Sequence, residues 1–529
     1  MFPLNSFFQI ASINLYSSKP VDETEVIKIT KGLKISKSSG HDNINTFFLK
    51  KIINAIAKPL CHIFNLSISL GKYPNVFKLA KVIPIYKKDN PNLCQNYRPI
   101  SILPCISKIL ERIIFNQIYK FLEKYNILCP NQYGFRKNYS TDLAVLDLLD
   151  KITQTLANKC HIIGIFMDLS KAFDTLDHKI LLKKLERYGI RGTPLAWFKD
   201  YLSHRKQYVE FHCTRSQILD LQCGVPQGSI LGPLLFLIYI NDIIYASNNP
   251  SYVLFADDTT LLFAHKEINA LIHNINRELP NIANWLKSNK LSLNVNKTNY
   301  VVFKSPQTKI NDNLCKLNLG NKELERKSHA NFLGIKLDEH LKWNIHCNDL
   351  IVSISRSIGI LNKIKNNLSQ NTRLLLYNSL ILSKLSYCNI IWGTTSKRNL
   401  DKMLLLQKRA IRICSGSTYL AHSNPIFKDL RVLKVADINL LQTALFMYKL
   451  NLNIIPDKFQ SLFTKNNQIH THHTRNANKY HLSNPKTSLA HNSIIHKGPD
   501  VWNSLPKYIT QCTTLISFKF DIVMFAANF

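Results

Sequence analysis

The chain has 529 residues, of which 68 are Lys or Arg and 34 are Asp or Glu, giving a formal net charge of +34. Its length predicts roughly three or four domains or one large multi-lobed enzyme. A hydrophobic content of 45% excludes a chain that is disordered throughout. The cationic excess runs from end to end, which favours an extended polyanionic partner, nucleic acid rather than a membrane. A generally basic protein without such a partner is the alternative.

Cysteine usage and apolar runs indicate the compartment. The 12 cysteines form no Cys-x-x-Cys pair and mostly have apolar neighbours, which predicts reduced core residues. The start of the chain lacks the basic region of a secretory signal. The longest apolar stretch, 230–240, is too short to span a bilayer and contains Gly232 and Pro233. We therefore expect a soluble, intracellular protein without a membrane segment.

Helices and strands are predicted in a definite order along the chain. Residues 82–101 predict a strand, a basic loop and a second strand, and 106–124 predict a helix because apolar residues recur every three or four positions. From 161 to 345, strands and helices alternate. From about 346 to 450 the pattern is helical, with basic amphipathic stretches.

After residue 450 the sequence becomes polar and irregular. The run 464–488 has little periodicity, which predicts a loop. His470, His472 and His473 within it suggest zinc, but no Cys accompanies them, so a solvated loop is favoured.

Three aspartates carry the chemistry. Asp257 and Asp258 stand between the apolar runs 252–255 and 261–263, which predicts a hairpin with the acidic pair at its turn. Asp168 ends another apolar strand. Three carboxylates on one sheet edge could hold two Mg²⁺ ions about 3.5–4 Å apart for an in-line phosphoryl transfer. An acidic turn on a solvated hairpin is the alternative for the pair alone.

Seven motifs in fixed order carry a family resemblance. They are NYRPISILPCISKILERII, QYGFRKNYSTDLAVL, MDLSKAFDTLDH, GVPQGSILGPLLF, FADD, LSLNVNKT and FLGIKLD. Over about residues 25–345 they resemble the reverse transcriptases of non-LTR (LINE-like) retrotransposons of jockey type. The resemblance implies an RNA-directed DNA polymerase that extends a primer 3′-hydroxyl with dNTPs on an RNA template. It also implies two Mg²⁺ ions, with Mn²⁺ as the alternative.

The resemblance implies an α+β fold, a right hand with fingers, an antiparallel-sheet palm and a helical thumb. The expected divisions are an N-terminal segment 1–24, fingers 25–160, palm 161–345, thumb 346–450 and a basic C-terminal extension 451–529. Full-length members commonly carry an endonuclease domain first, for which we find no room. We therefore expect the polymerase part of a second open reading frame, from a truncated copy or partial gene model. A nuclear or cytoplasmic location is implied by resemblance only.

Catalytic roles follow from the same resemblance. Asp168 and Asp257 match the metal-ligating aspartates, and Asp258 matches the second, less directly engaged, residue of the acidic pair. Lys297 occupies the position where polymerases often carry a general acid that protonates pyrophosphate. Phe173 lies where the family places an aromatic ring under the sugar, which implies a preference for deoxynucleotides. An ordinary core phenylalanine is the alternative.

Substrate contacts are implied at two places. Lys87, Lys88 and Arg98 would hold the triphosphate, and a solvated loop is the alternative for the two lysines. A loop of small residues would contact the template and the incoming nucleotide, or else be a simple strand-to-helix turn. Its residues are Gly224, Pro226, Gln227, Gly228 and Ser229.

Further nucleic-acid contacts are implied outside that loop. Arg136 resembles a contacting position, with a surface charge as the alternative. Phe332, Leu333 and Gly334 resemble the primer-grip turn. Two other aspartates, Asp174 and Asp177, are predicted to cap the following helix.

The expected partners are therefore an RNA template, a DNA primer and dNTPs, with no membrane and the oligomeric state open. A non-catalytic RNA-binding protein, decayed or domesticated from the same fold, is the main alternative. Several intact residues count against decay, namely Asp168, Asp257, Asp258, Phe173 and Arg98. A group II intron maturase shares the palm motifs but adds splicing and intron-binding regions that are not apparent here.

Overall fold

The computed structural model describes residues 14–212, 214–308, 316–320, 322–469, 476–485 and 487–527. His470, His472 and His473 lie outside these residues. The described strands are β1 (Leu79–Tyr86), β2 (Tyr97–Ile102), β3 (His161–Met167), β4 (Arg205–Phe211), β5 (Thr214–Arg215), β6 (Leu219–Leu221), β7 (Ser251–Phe255), β8 (Asp258–His265), β9 (Asn299–Phe303), β10 (Asn318–Leu319), β11 (Lys322–Glu323), β12 (Glu325–Arg326), β13 (His329–Phe332) and β14 (Ile335–Asp338).

Helices occur along the whole described chain and follow one another without intervening named strands after β14. They are α1 (Glu23–Gly32), α2 (Thr46–Leu70), α3 (Cys105–Lys124), α4 (Thr141–Ala157), α5 (His178–Arg187), α6 (Thr193–Leu202), α7 (Leu231–Ile240), α8 (Ile268–Ser288), α9 (Asn344–Ile364), α10 (Gln370–Tyr377), α11 (Ser383–Ser386), α12 (Asn389–Trp392), α13 (Lys397–Ser415), α14 (Ser423–Asp429), α15 (Val435–Asn451), α16 (Asp457–Gln460), α17 (Asn466–Ile469), α18 (Ser488–His491), α19 (Ile494–Ser504), α20 (Lys507–Thr510) and α21 (Leu515–Ala527). The mixed α+β class is thus confirmed.

The central sheet has the strand order β12-β9-β3-β8-β7, and its pairs are antiparallel except β12 with β9. Successive side chains of a strand point to opposite faces. On β3, Ile163 and Ile165 enter one apolar cluster, whereas Ile162 and Phe166 enter a second. Both faces of the sheet are therefore buried, which explains why β3 is an unbroken apolar run rather than an alternating one.

A separate sheet is formed by β2, β1, β4 and β5 in that order, with β6 also paired to β4. β1 runs antiparallel to β2 and parallel to β4. The strand-loop-strand predicted over 82–101 is confirmed as β1 and β2, and the helix predicted over 106–124 is confirmed as α3. The loop between β1 and β2 carries the basic residues Lys87 and Lys88.

The chain after residue 450 differs from the prediction. Five short helices and α21 occupy this region, although the stretch between α17 and α18 has no helix in its described residues. Tyr448 of α15 stacks on Phe518 of α21 with ring centroids 4.2 Å apart, and Trp502 of α19 lies 6.1 Å from the same ring. Apolar residues spaced widely among polar ones thus join one core with the preceding helices, a pattern that local periodicity does not reveal.

One described helix, α2, is long and apolar enough to cross a membrane by length and composition. The sequence shows no uninterrupted apolar stretch here, because Lys50, Lys51 and Lys58 lie within the helix. A core helix of a water-soluble protein passes the same test. Leu49, Ile53 and Phe64 form a buried stripe on α2, and the helix contacts α1, α3 and α6. One face of α2 thus packs against the protein, and 33% of its most apolar window is buried.

Candidate active site

The acidic pair lies at the turn that joins β7 to β8, as the sequence predicts. Phe255 pairs with Asp258, so Ala256 and Asp257 form a two-residue turn. Ala256 has a φ of +54°, in the left-handed region that such turns require. Asp258 is the first residue of β8. The two carboxylates therefore belong to different backbone environments, one in the turn and one on the strand.

Asp168 reaches the same edge from β3. Met167, the last residue of β3, pairs with Thr259 of β8. Continuing this antiparallel register by one residue brings Asp168 level with Asp258. The adjacency of β3 and β8 thus brings together three carboxylates that are separated by about ninety positions in sequence, which is the arrangement that we predicted.

The electrostatics of these carboxylates reflect their proximity. Burial raises the pKa of Asp257, and the charge of Asp168 adds to that rise, while Lys87 and Arg98 oppose it. Burial, and then the charges of Asp257 and Asp168, raise the pKa of Asp258 to about 6. Repulsion between carboxylates is thus balanced in part by cations on the β1–β2 hairpin.

Two of the three predicted triphosphate ligands, Lys87 and Arg98, act on the charge of Asp257 at this edge. Arg98 on β2 pairs with Ile85 on β1, and the amide of Lys87 donates to the carbonyl of Asn96 at 2.9 Å. Both basic side chains are exposed. Lys88 is also exposed. The β1–β2 hairpin therefore presents Lys87 and Arg98 to the acidic edge.

Lys297 lies beside Asp168. Its Nζ is 3.3 Å from Asp168 Oδ2, and the Lys297 side chain is 53% exposed. The loop that carries it is fixed to Asp168, because the amide of Asn294 donates to the Asp168 carbonyl at 2.8 Å. An exposed ion pair of this kind is weak, so Lys297 is free to exchange Asp168 for a more highly charged group.

The donor chemistry of this edge suits Mg²⁺, which takes oxygen ligands. Within the described residues, no group of three or more His, Cys, Asp or Glu side chains is arranged so that it could hold a metal ion as it stands. Mg²⁺ in phosphoryl-transfer sites usually binds through one or two carboxylates, with water and substrate phosphates as its other ligands. Asp168 and Asp257 meet that smaller requirement, since both are acceptors and Asp257 lacks an ion pair among the described side chains.

Phe173 stands between two other rings, partly buried. It stacks on Phe236 of α7 at 4.5 Å, and Phe135 meets it edge-on at 6.1 Å. Phe135 has a φ of +54° and is 50% exposed. These contacts hold the Phe173 ring in one place, as a residue that selects between sugars would need. Sequence reasoning missed Phe135, although the aromatic in Gly-Phe-Arg-Lys was visible.

The loop before α7 is tightly joined to its neighbours. A Cβ on Gly224 would lie 2.6 Å from the Asp174 carbonyl oxygen, and a Cβ on Gly228 would lie 2.4 Å from the Ser101 carbonyl oxygen. Both glycines have positive φ values, +80° and +131°. The Ser101 amide donates to the Gln227 carbonyl at 2.8 Å. Only glycine fits these two positions, so the loop has one defined path between the Phe173 segment and β2.

The two aspartates predicted as helix caps differ. Asp177 does cap α5, because its side chain accepts from the Ile180 amide at 3.0 Å. Asp174 does not. Its Oδ1 accepts from Gln227 Nε2 at 2.8 Å, which links the residue after Phe173 to the loop before α7. The correction arises because the chain turns at residues 171–174 and α5 begins only after Asp177.

Two residues predicted to contact nucleic acid, Arg136 and Ser229, instead have partners within the protein. Arg136 is 7% exposed, pairs with Glu123 at 2.9 Å and lies over the Tyr139 ring at 4.2 Å. Ser229 is 6% exposed, and its hydroxyl donates to the Pro226 carbonyl at 2.9 Å. We therefore assign structural roles to Arg136 and Ser229, since either would have to give up these contacts to reach a ligand.

The predicted primer-grip residues form a second tight hairpin. Phe332 pairs with Ile335, and Leu333 and Gly334 form the turn with φ values of +49° and +81°. Phe332 is buried in the core, whereas Gly334 is exposed. Tyr387, on the helical side, donates from its hydroxyl to the Leu333 carbonyl at 2.7 Å. The exposed turn can therefore contact a primer, whereas the buried Phe332 ring cannot.

Glu111 is a buried residue that sequence reasoning missed. It is fully buried on α3 and accepts from the amides of Ile230 and Leu231, at 2.7 and 3.3 Å, at the first turn of α7. A carboxylate at a helix N-terminus is stabilised by the orphan amides and the helix dipole. The available signal was a charge within the apolar stripe of α3. Glu111 thereby anchors the loop that precedes α7.

The fold and this acidic edge define a class of protein. Residues 85–337 match the family described as "Reverse transcriptase (RNA-dependent DNA polymerase)". The chain therefore carries a reverse transcriptase domain. The match begins at the end of β1 and reaches into β14, and so includes all three aspartates, Lys297 and the loop before α7.

Curated relatives of the chain are polymerases of mobile elements. The chain is 29% identical over 435 residues to "Probable RNA-directed DNA polymerase from transposon BS" of Drosophila melanogaster, covering 78% of this chain and 47% of the relative. It is 27% identical over 451 residues to "RNA-directed DNA polymerase from mobile element jockey" of the same species, covering 82% and 48%. The jockey protein of Drosophila funebris is likewise 27% identical, covering 79% and 46%. The domain is thus similar to the polymerases of LINE-like, jockey-type elements. The chain spans about half the length of these relatives.

Proposed function

We propose that this chain is an RNA-directed DNA polymerase that extends a primer 3′-hydroxyl with dNTPs on an RNA template, as part of a non-LTR retrotransposon. The observation that carries the proposal is the meeting of Asp168, Asp257 and Asp258 at one sheet edge, beside Lys297 and opposite Lys87 and Arg98. Carboxylates that lie close to basic side chains suit a reaction that moves charge between a hydroxyl and a triphosphate.

The proposed architecture is a right hand. The sheet of β1, β2, β4, β5 and β6 would be part of the fingers, the central sheet the palm, and the helices from α9 to α15 the thumb. The tail after residue 450 would brace the thumb through the shared core. The RNA–primer duplex would lie across the central sheet with the primer end between the β7–β8 and β13–β14 turns.

Each site residue has a defined task in this proposal. Arg98 and Lys87 bind the triphosphate, and Arg98 suits a forked contact with phosphate oxygens. Asp168 and Asp257 would hold Mg²⁺, which when bound neutralises phosphate charge and lowers the pKa of the primer hydroxyl. Lys297 leaves Asp168 and donates a proton to the departing pyrophosphate oxygen.

Primer extension on a defined RNA template tests the proposal. Wild type is expected to add dNTPs in the presence of Mg²⁺, and EDTA or Asp168→Asn is expected to reduce product to background. The non-catalytic alternative predicts the reverse: RNA binding that survives Asp168→Asn and weakens steeply with added salt, with no product from wild type. Equal, background-level product from wild type and Asp168→Asn would refute the polymerase proposal.

Sugar discrimination gives a second test, at Phe173. Phe173→Val is expected to raise the ratio of rNTP to dNTP incorporation by about 10–100-fold, because removing the ring makes room for a 2′-hydroxyl. The measurement is kcat/KM for each nucleotide on the same template. Phe236→Leu, which alters the ring beneath Phe173 but not the sugar-facing one, is the control. An unchanged ratio in Phe173→Val would mean that another group excludes the 2′-hydroxyl.

A further inference from the structure

An extended segment lines the outer edge of the central sheet beside the acidic turn. The amide of Leu254 donates to the Asn131 carbonyl at 2.9 Å, and the amide of Tyr133 donates to the Leu254 carbonyl at 2.8 Å. Gln132 thus pairs with Leu254 in a parallel bridge. The segment covers β7, which would otherwise present an unpaired edge at this point. A Cβ on Gly134 would lie only 2.4 Å from the Ala256 nitrogen, so the two backbones meet without space between them.

Gln132 supplies the side chain at this contact. It is 2% exposed, and its Oε1 accepts from the amides of both Gly134 and Ala256, at 2.8 and 2.9 Å. Two backbone donors fix the orientation of the amide group, because the opposite orientation would set Nε2 against two N–H groups. The Nε2 atom is buried without a hydrogen-bond partner in the described part of the chain. The fold therefore accepts an unpaired donor in order to keep the two bonds to Oε1.

The turn needs such support. Ala256 adopts a left-handed conformation that costs free energy for a residue with a Cβ, and two-residue turns of this type favour Asn, Asp or Gly there. The Ala256 amide donates to Gln132, and Ala256 is the residue directly before Asp257. Without that bond the Ala256–Asp257 peptide could relax toward a less strained conformation, and the Asp257 carboxylate would move with it.

We propose that Gln132 is a positioning residue that holds the Ala256–Asp257 turn, and with it the Asp257 carboxylate, in the geometry needed for nucleotide addition. The proposal rests on the proposed function. Gln132 touches the backbone of the turn and acts through Asp257. Its role is distinct from that of the nearby Arg136, which bonds to the carbonyl of Cys129 and to Glu123.

A matched set of variants tests this role. Gln132→Met keeps the volume and removes the acceptor, whereas Gln132→Glu keeps an acceptor oxygen. Gln407→Met is the control, because Gln407 is fully buried and its amide oxygen likewise accepts from a backbone amide, that of Val435, while its nitrogen donates to Tyr377. A loss that came only from removing a buried amide would be the same at both positions.

Two readouts are needed. Hydrogen exchange of peptides that contain the Ala256 amide reports the bond itself and does not require activity. Gln132→Met is expected to speed this exchange, while Gln132→Glu and Gln407→Met leave it slow. In primer extension, Gln132→Met is expected to lower kcat about 100-fold with a KM for dNTP within about twofold of wild type, since a misplaced catalytic group affects the chemical step. Gln132→Glu should recover part of kcat.

Other results would overturn the proposal. Unchanged exchange at Ala256 in Gln132→Met would show that the bond does not hold the turn. A kcat loss in Gln132→Met no larger than in Gln407→Met would show that Gln132 contributes only to stability. Failure of the proposed function is distinguishable, because wild type would then make no product that depends on Asp168, whatever the exchange at Ala256.

Discussion

Asp257→Asn is expected to lower the rate of primer extension by at least about 1000-fold, because a metal-held carboxylate contributes several kcal/mol to stabilising the transition state. The effect should fall on kcat more than on the KM for dNTP. Asp258→Asn should cost less, about tenfold, because Asp258 lies on β8 rather than in the turn and matches the less directly engaged member of the acidic pair.

Folding should not explain that loss. Burial and the neighbouring charges raise the pKa of Asp257 and of Asp258, so the folded state disfavours these charges. Removing one is expected to leave the melting temperature unchanged or raised. Asp220→Asn, on the exposed strand β6, is the matched control and should retain activity. If Asp257→Asn and Asp220→Asn are equally active, Asp257 is not part of the catalytic site.

The sequence predicts the acidic hairpin at this edge well for a local reason. β7, the acidic turn and β8 are contiguous, so two apolar runs with a polar step between them specify the hairpin without tertiary information. The end of β3 at Asp168 follows from its unbroken apolar run. That β3 lies next to β8 does not follow from the residues alone. The family resemblance implied it, and the register between Met167 and Thr259 is a property of the structure.

The polar residues whose contacts the sequence did not reveal share one physical cause. Whether a polar residue faces solvent, a ligand or a distant backbone atom depends on contacts far away in sequence. Arg136 binds Glu123, Asp174 binds Gln227, and Glu111 binds the first turn of α7. None of these partners can be recognised from spacing, and a basic or acidic residue inside a motif is easily taken for a ligand-binding one. Gln132 is the same case, since its partner Ala256 is 124 positions away.

A buried ion pair joins the two helices that follow the catalytic segments. Lys184 of α5 is fully buried, and its Nζ lies 2.6 Å from Asp242 Oδ1, just beyond the end of α7. The same Nζ lies 4.9 Å from the centre of the Tyr239 ring and 5.0 Å from that of Trp285. Burial raises the pKa of Asp242 and lowers that of Lys184, and each ion opposes that shift in its partner. The pair thus joins α5, the helix that follows Asp168, to the end of α7, the helix that follows the glycine-containing loop.

Lys184→Met is expected to lower the free energy of unfolding by about 3–5 kcal/mol, because it leaves Asp242 buried without its countercharge. Without Lys184 the folded state would hold a proton on Asp242 that the unfolded chain releases, so stability should fall as the pH rises from about 5 to about 8. Arg187 is a second cation that acts on Asp242. Tyr188, Tyr239 and Tyr245 stay neutral over that range, because burial raises the pKa of each.

Urea unfolding at both pH values measures this, with the double variant Lys184→Met and Asp242→Asn as the control. Asn at position 242 removes the carboxylate charge that Lys184→Met leaves without its lysine partner. The double variant should therefore regain part of the lost stability and lose the pH dependence. A loss below about 1 kcal/mol in Lys184→Met, or one that is the same at both pH values, would mean that water or a rearranged neighbour solvates Asp242. In that case the connection between α5 and α7 would depend on apolar packing alone.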